Sequence, residues 1–169
     1  MKYIFVDGYN VINSWPELKK IKEFSYESAR NALVDDLQDY AAFEGCKIFV
    51  IFDAYLVNGS LESTEKKGNT TIIFTKEGDT ADNFIERYIN NIGRKADVSV
   101  VTSDSLQQQL IFQRGAARIS SIEFYHEVYQ TKKIISKKTS KKESRGKNFL
   151  HDQIDEEILK KLEKIRRSK

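Results

Sequence analysis

Four short apolar runs constrain the fold more than any other feature of this sequence. Tyr3-Ile4-Phe5-Val6, Ile48-Phe49-Val50-Ile51-Phe52, Thr71-Ile72-Ile73-Phe74 and Val98-Ser99-Val100-Val101 are rich in strand formers and do not alternate between apolar and polar residues. A strand that stays apolar along its length is buried on both faces, as in a parallel sheet covered by helices. Helical spacings lie between and after the runs. Ala29, Leu33, Leu37 and Tyr40/Ala41 form one stripe, and Phe84, Ile85, Tyr88, Ile89 and Ile92 form a second. Leu106 and Leu110 suggest a helix after Asp104, and Ile122, Tyr125 and Val128/Tyr129 one after that. The order strand-helix-strand-strand-helix-strand-helix predicts an α/β fold with crossover connections. Arg118-Ile119-Ser120 is a candidate fifth strand. Residues 55–70, with Tyr55, Asn58-Gly59-Ser60, Lys66-Lys67 and Gly68-Asn69, read as a loop.

Charge divides the chain. The net charge of +3 over 169 residues averages an acidic body, −5 over residues 1–130, and a basic end, +8 over residues 131–169. Between 131 and 150 there are eight Lys or Arg and one acid, the composition of a solvated linker, and Ile154, Ile158, Leu162 and Ile165 then mark a final amphipathic helix. A basic tail on an acidic body suggests a polyanionic partner. At 40% hydrophobic residues the body can bury a core, and no apolar run approaches the ~20 residues of a membrane span. The lone Cys46 excludes an internal disulfide and a cysteine-built zinc site. Met1-Lys2-Tyr3-Ile4-Phe5-Val6-Asp7 reaches a charge too early for a signal peptide, so a cytoplasmic location is expected.

The acids sit where chemistry is expected. In open parallel sheets the ligand crevice lies beyond the carboxyl ends of the strands. Asp7 follows the first run, Asp53 the second, and Asp104 the fourth. Asp79 and Asp82 open the helix that ends near Ile92. Singly, each has a bland reading: Asp79 as a helix N-cap, Asp82 as a favourable charge in a first turn, Asp53 as a turn residue, Asp104 as a cap. Together, carboxylates converging on one crevice raise one another's pKa unless a cation sits among them. Oxygen ligands without cysteine favour Mg²⁺ or Mn²⁺ over Zn²⁺. His126 and His151 fall outside all these motifs.

In order along the chain, Asp7-Gly8-Tyr9-Asn10-Val11-Ile12-Asn13, Phe52-Asp53-Ala54, Thr80-Ala81-Asp82-Asn83-Phe84-Ile85-Glu86, and Thr102-Ser103-Asp104 with Gln108/Gln109 and Arg114-Gly115-Ala116 resemble the YacP-like branch of the NYN domains, within the PIN-like nuclease superfamily. The resemblance runs through about residues 1–130; the tail over 131–169 follows the family only in being basic. It implies a PIN-like three-layer α/β/α sandwich with a central, mainly parallel sheet, here followed by a basic C-terminal helical tail. It also implies metal-dependent endoribonuclease activity, with mRNA and the ribosome as partners. Carried over by position, Asp7 and Asp82 are the principal Mg²⁺ carboxylates, completed by Asp104. Asn10 orients Asp7 or the scissile phosphate, Asp53 matches a family acid at a strand end and is a further metal-site candidate, and Asp79 stands behind the site. Arg30, in a family-like Ser28-Ala29-Arg30 segment, is a candidate phosphate contact.

The chemistry so implied is in-line attack of an activated water on an RNA phosphodiester, leaving 5′-phosphate and 3′-hydroxyl ends. Lys19, Lys20, Lys22, Lys66, Lys67, Arg114 and Arg118 are candidates for holding the RNA backbone. Trp15 and Tyr9 are candidates for stacking on bases, with core packing the equal alternative for Trp15. Three rival readings remain. A non-catalytic RNA- or ribosome-binding module would keep the tail and lose the acids. A haloacid-dehalogenase-type phosphatase needs a second Asp where Tyr9 stands. A nucleotide-binding domain would carry a glycine-rich phosphate loop, which the sequence lacks.

Overall fold

The structure, a computed structural model, describes residues 1–53, 62–92, 97–103 and 116–152. The chain forms two compact units, Met1–Lys132 and Lys133–Lys169. The first unit is built on a six-stranded sheet. Its strands are β1 (Lys2–Asp7), β2 (Lys47–Phe52), β3 (Ser63–Lys67), β4 (Thr70–Phe74), β5 (Asp97–Val101) and β6 (Ala117–Ile119). They lie in the order β3-β4-β2-β1-β5-β6, all parallel except the β3–β4 pair. The helices are α1 (Gly8–Ser14), α2 (Pro16–Lys22), α3 (Tyr26–Glu44), α4 (Ala81–Ile92) and α5 (Ser121–Asp152).

The pleat sorts the apolar runs into two cores. Ile4, Val6, Ile48, Val50 and Phe52 join Val11 and Ile12 of α1, Leu18 of α2, Leu33 and Leu37 of α3, and Phe124 and Val128 of α5. On the other face Phe5, Ile51, Ile73 and Val100 meet Ala81, Ile85 and Ile89 of α4. Both faces of the central strands are therefore covered, giving three layers. The long helix α3 starts at Ser25, whose hydroxyl accepts from the Ser28 N–H at 3.1 Å, and stops at Gly45 with φ 66°.

Gly8 is required for space rather than conformation. A Cβ there would lie 2.3 Å from the Phe52 ring, and that ring is fully buried between Tyr9 and Phe74. Gly8→Ala is expected to cost about 1–3 kcal/mol through overpacking, read as a lower denaturant midpoint at unchanged slope.

Several expectations change. Within the stretch read as a loop, Ser63–Lys67 is an edge strand paired antiparallel with β4, turning at Gly68 with φ 57°. Its Ser-Thr-Glu-Lys-Lys sequence carries no apolar signal because an exposed edge strand buries nothing, and charged edges are how sheets avoid further pairing. Residues 55–61 and the helix expected after Asp104 lie outside the described residues. The short fifth strand is Ala117–Ile119, one residue before its expected start. The face of α5 that buries is Ser121, Phe124, Val128 and Thr131, while Ile122 and Tyr129 are exposed. The apolar stripe is too broad for spacing alone to choose its buried edge. Residues 131–150 belong to helix α5, which runs to Asp152, rather than to an irregular linker. Lysine is a good helix former, and no Gly or Pro interrupts the segment before Gly146. Within the second unit, Ser136, Thr139 and Ser140 hydroxyls donate back to helix carbonyls at 2.9–3.1 Å.

Candidate active site

The site follows from the strand order. From β1 the chain builds outward through β2 and β4 on one side, then returns to place β5 and β6 on the other. The crevice at such a reversal lies beyond the carboxyl ends of the strands, here those of β1 and β5. Asp7 is the last residue of β1 and also the N-cap of α1, its Oδ1 accepting from the Asn10 N–H at 3.1 Å. Asn10 spans the reversal. Its Oδ1 accepts from the Ser103 N–H at 3.1 Å and from the Ser121 hydroxyl at 2.6 Å, and the Ser103 hydroxyl donates to Ser121 at 3.0 Å. The backbone donor at Ser103 fixes the amide orientation, and neither contact uses Nδ2. Asn10 thus orients Asp7 through its backbone, while its side chain ties α1, the end of β5 and the start of α5 together.

Asp7 carries a clear electrostatic signal. Burial raises its carboxyl pKa to about 6, the Asn10 and Tyr9 N–H groups oppose the shift, and the carboxylates of Asp82 and Asp53 add to it. Asp82 stands in the first turn of α4. Asp53 accepts through Oδ1 from the Ala81 N–H and so anchors the start of that helix to the end of β2. Burial raises its pKa, opposed by the Ala81 N–H and reinforced by Asp79. Asp53 is therefore a positioning residue for the turn that bears Asp82. Asp79 is not the N-cap: Thr80 is, its Oγ1 accepting from the Asn83 N–H at 3.2 Å. Asp79 instead forms a two-pronged ion pair with Arg87, at 2.5 and 3.2 Å. Asp104 lies outside the described residues.

Among the described residues no three acidic, histidine or cysteine side chains gather into one ion-binding set. The Asp7–Asp82 pair nevertheless fits Mg²⁺, which commonly takes one or two carboxylates and fills its remaining positions with water and phosphate oxygens. A cation there would also offset the cost of burying the Asp7 charge, which is the main cause of its raised pKa, and the smaller repulsion from Asp82 and Asp53.

The flanking residues divide. Trp15 is only 2% exposed, its Nε1 donates to the Ser121 carbonyl at 2.9 Å, and its ring packs on Phe124 and Tyr125. It belongs to the core and offers no face to a base, because α5 covers it. Tyr9 is likewise buried, its hydroxyl accepting from Arg30 at 3.2 Å. Arg30 lies over the Phe74 ring at 5.8 Å, half-buried at the same end of the sheet. Lys19 and Lys20 are exposed on α2, and Lys22 donates to Asn13 at 2.5 Å. Lys66 and Lys67 lie on the edge strand β3, and Arg118 on β6 beside Val100. Arg114 lies outside the described residues. Sequence reasoning missed Ser121, which is 111 residues from the Asn10 it bonds, and no local pattern announces such a contact. Among the described residues no helix is long and apolar enough to cross a membrane.

A three-layer sheet with an acidic pair at its reversal point is the architecture of a PIN-like nuclease domain. The chain belongs to the YacP-like NYN domain family, whose profile matches residues 4–167 and so extends past residue 130, where the motif resemblance stops. It is 40% identical over 173 residues to the uncharacterized protein YacP of Bacillus subtilis (strain 168), covering 99% of this chain and 98% of that one. Two solved structures are similar. The crystal structure of Rae1 (YacP) from Bacillus subtilis has a TM-score of 0.75 and 38% identity, covering 99% of this chain and 96% of that one. A tryptophan-to-leucine mutant of that same protein has a TM-score of 0.72 and 34% identity, covering 84% of this chain and 83% of that one.

Proposed function

We propose that this protein is a Mg²⁺-dependent endoribonuclease that cuts mRNA in association with the ribosome. One observation carries the catalytic reading: a half-buried aspartate at the reversal point of a parallel sheet, within electrostatic reach of a second carboxylate on the first turn of α4. Two such acids are unfavourable for an empty fold and useful to one that takes a cation.

Asp7 and Asp82 are the residues that would hold the ion, with Asp104 completing the set. A divalent cation held there supplies an activated water and offsets the charge that builds on the phosphate. Asp53 fixes the helix turn that presents Asp82. Asn10 keeps α1 and the end of β5 in register, and its Nδ2 is the end left to meet a phosphate oxygen. Arg30 offers further guanidinium donors beside Tyr9. The eight basic residues between 131 and 150 offset the repulsion of RNA by the acidic body, and this contribution weakens steeply with salt.

The test is end-mapping of a labelled mRNA incubated with the protein, with and without Mg²⁺ and ribosomes. Mg²⁺-dependent products with 5′-phosphate and 3′-hydroxyl ends are expected. Cyclic-phosphate ends would overturn the mechanism. Undiminished cutting by the Asp7→Asn/Asp82→Asn double variant would overturn the site. Tight RNA or ribosome binding without any cutting would favour a non-catalytic binding module.

A further inference from the structure

The described residue most at odds with its surroundings is Phe24. Its ring is 90% exposed, more than any other large apolar side chain in the described part of the chain. Single exposed apolar residues are ordinary on protein surfaces, so exposure alone decides nothing. Phe24 is distinguished by where it stands and how it is held.

It lies on the corner between α2 and α3. Its backbone is fixed, because the N–H groups of Phe24 and Ser25 both donate to the Ile21 carbonyl, at 3.1 and 3.0 Å. Ser25 then caps α3. Two residues beyond Phe24, the Tyr26 ring is 39% exposed and meets the Tyr9 ring edge-on at 6.0 Å between centroids. Tyr9 is two residues from Asp7 and bonds Arg30, which covers Phe74 at the carboxyl end of β4. The aromatic corner is thus joined by direct contacts to the end of the sheet that bears the acidic pair. Exposed Lys19 and Lys20 precede it on α2. Glu23 and Glu27 share the corner, so charge there is nearly balanced, and a grip on RNA must come from the rings rather than from phosphate contacts.

We propose that Phe24, with Tyr26 beside it, is a base-stacking platform on the rim of the acidic crevice, taking an unpaired base of single-stranded RNA next to the bond that is cut. The inference rests on the nuclease reading for what the neighbouring site does, though not for the stacking itself. An aromatic side chain on a fixed backbone has only two torsions to order on binding, and stacking tolerates any base because every base has a π-face. The platform therefore adds hold on a single strand without choosing its sequence.

The test measures affinity for an unstructured fluorescent oligoribonucleotide in the full-length Asp7→Asn background, so that the strand stays intact. Phe24→Ala is expected to weaken binding about tenfold, and Phe24→Trp to restore it. The loss should be the same at low and high salt, since no phosphate contact is removed. An oligomer of the same length with abasic positions should not distinguish Phe24→Ala from its parent. Equal binding by the parent and Phe24→Ala overturns the platform, as does a loss confined to ribosome binding, which would make Phe24 a protein contact. Cleavage by the chain with Asp7 intact is read separately. Stacking without cleavage leaves the platform standing and sinks the nuclease reading; cleavage with no effect of Phe24→Ala does the reverse.

Discussion

Replacing Asp7 with Asn is expected to make the protein more stable and inactive at once. The carboxyl titrates at about 6 in the fold, against 3.8 for the free side chain, with burial the largest cause. A carboxyl whose pKa is raised on folding favours the folded state below the unfolded value, and that advantage is lost as pH rises through the folded value. The loss falls between about pH 4 and pH 6 and amounts to at most about 3 kcal/mol. Asn keeps the acceptor that caps α1 and removes the ionisation. The stability difference between variant and parent should therefore be near zero below about pH 4 and reach up to about 3 kcal/mol above pH 7. Chemical denaturation across that range measures it; a difference that does not grow with pH would show that Asp7 ionises without cost. On the proposed mechanism cleavage falls by on the order of 10³-fold. Mg²⁺ should stabilise the parent by about 1.4 kcal/mol at tenfold excess over its Kd and leave the variant nearly unmoved. A stability cost at neutral pH that returns as ion binding is what a site built for a cation should show.

Trp15→Ala is expected to cost about 3–5 kcal/mol, because a buried indole packed on Phe124 and Tyr125 leaves a cavity that its neighbours cannot fill. It also strips the Ser121 carbonyl of its donor. The hydroxyl of the same Ser121 donates to Asn10, so the damage should reach the site and reduce cleavage through its geometry. Trp15→Phe keeps most of the ring and loses the hydrogen bond, for roughly 1 kcal/mol plus a smaller void. A residue that stacked on RNA would behave oppositely, leaving the unfolding midpoint in place and weakening RNA affinity alone.

Much of this protein is determined by sequence alone, and for one reason: central strands buried on both faces must be apolar throughout. The runs at 3–6, 48–52, 71–74 and 98–101 all became parallel strands of the sheet. The acids that end them, Asp7 and Asp53, had to fall at its carboxyl edge, and the helix spacings of α3 and α4 were equally legible. Elements that bury little left no such trace, hence the edge strand β3 and the exposed helical stretch after Lys132. Tertiary structure alone decided which groups meet. That Asn10 is held by Ser103 and Ser121, that Asp53 secures α4, that Trp15 is enclosed while Phe24 is not, and that burial and Asp82 together raise Asp7 all depend on distances between segments far apart in the chain. Periodicity reports which face of an element is apolar. Hydrogen bonds and desolvation depend on what that face, or the end of that strand, is packed against.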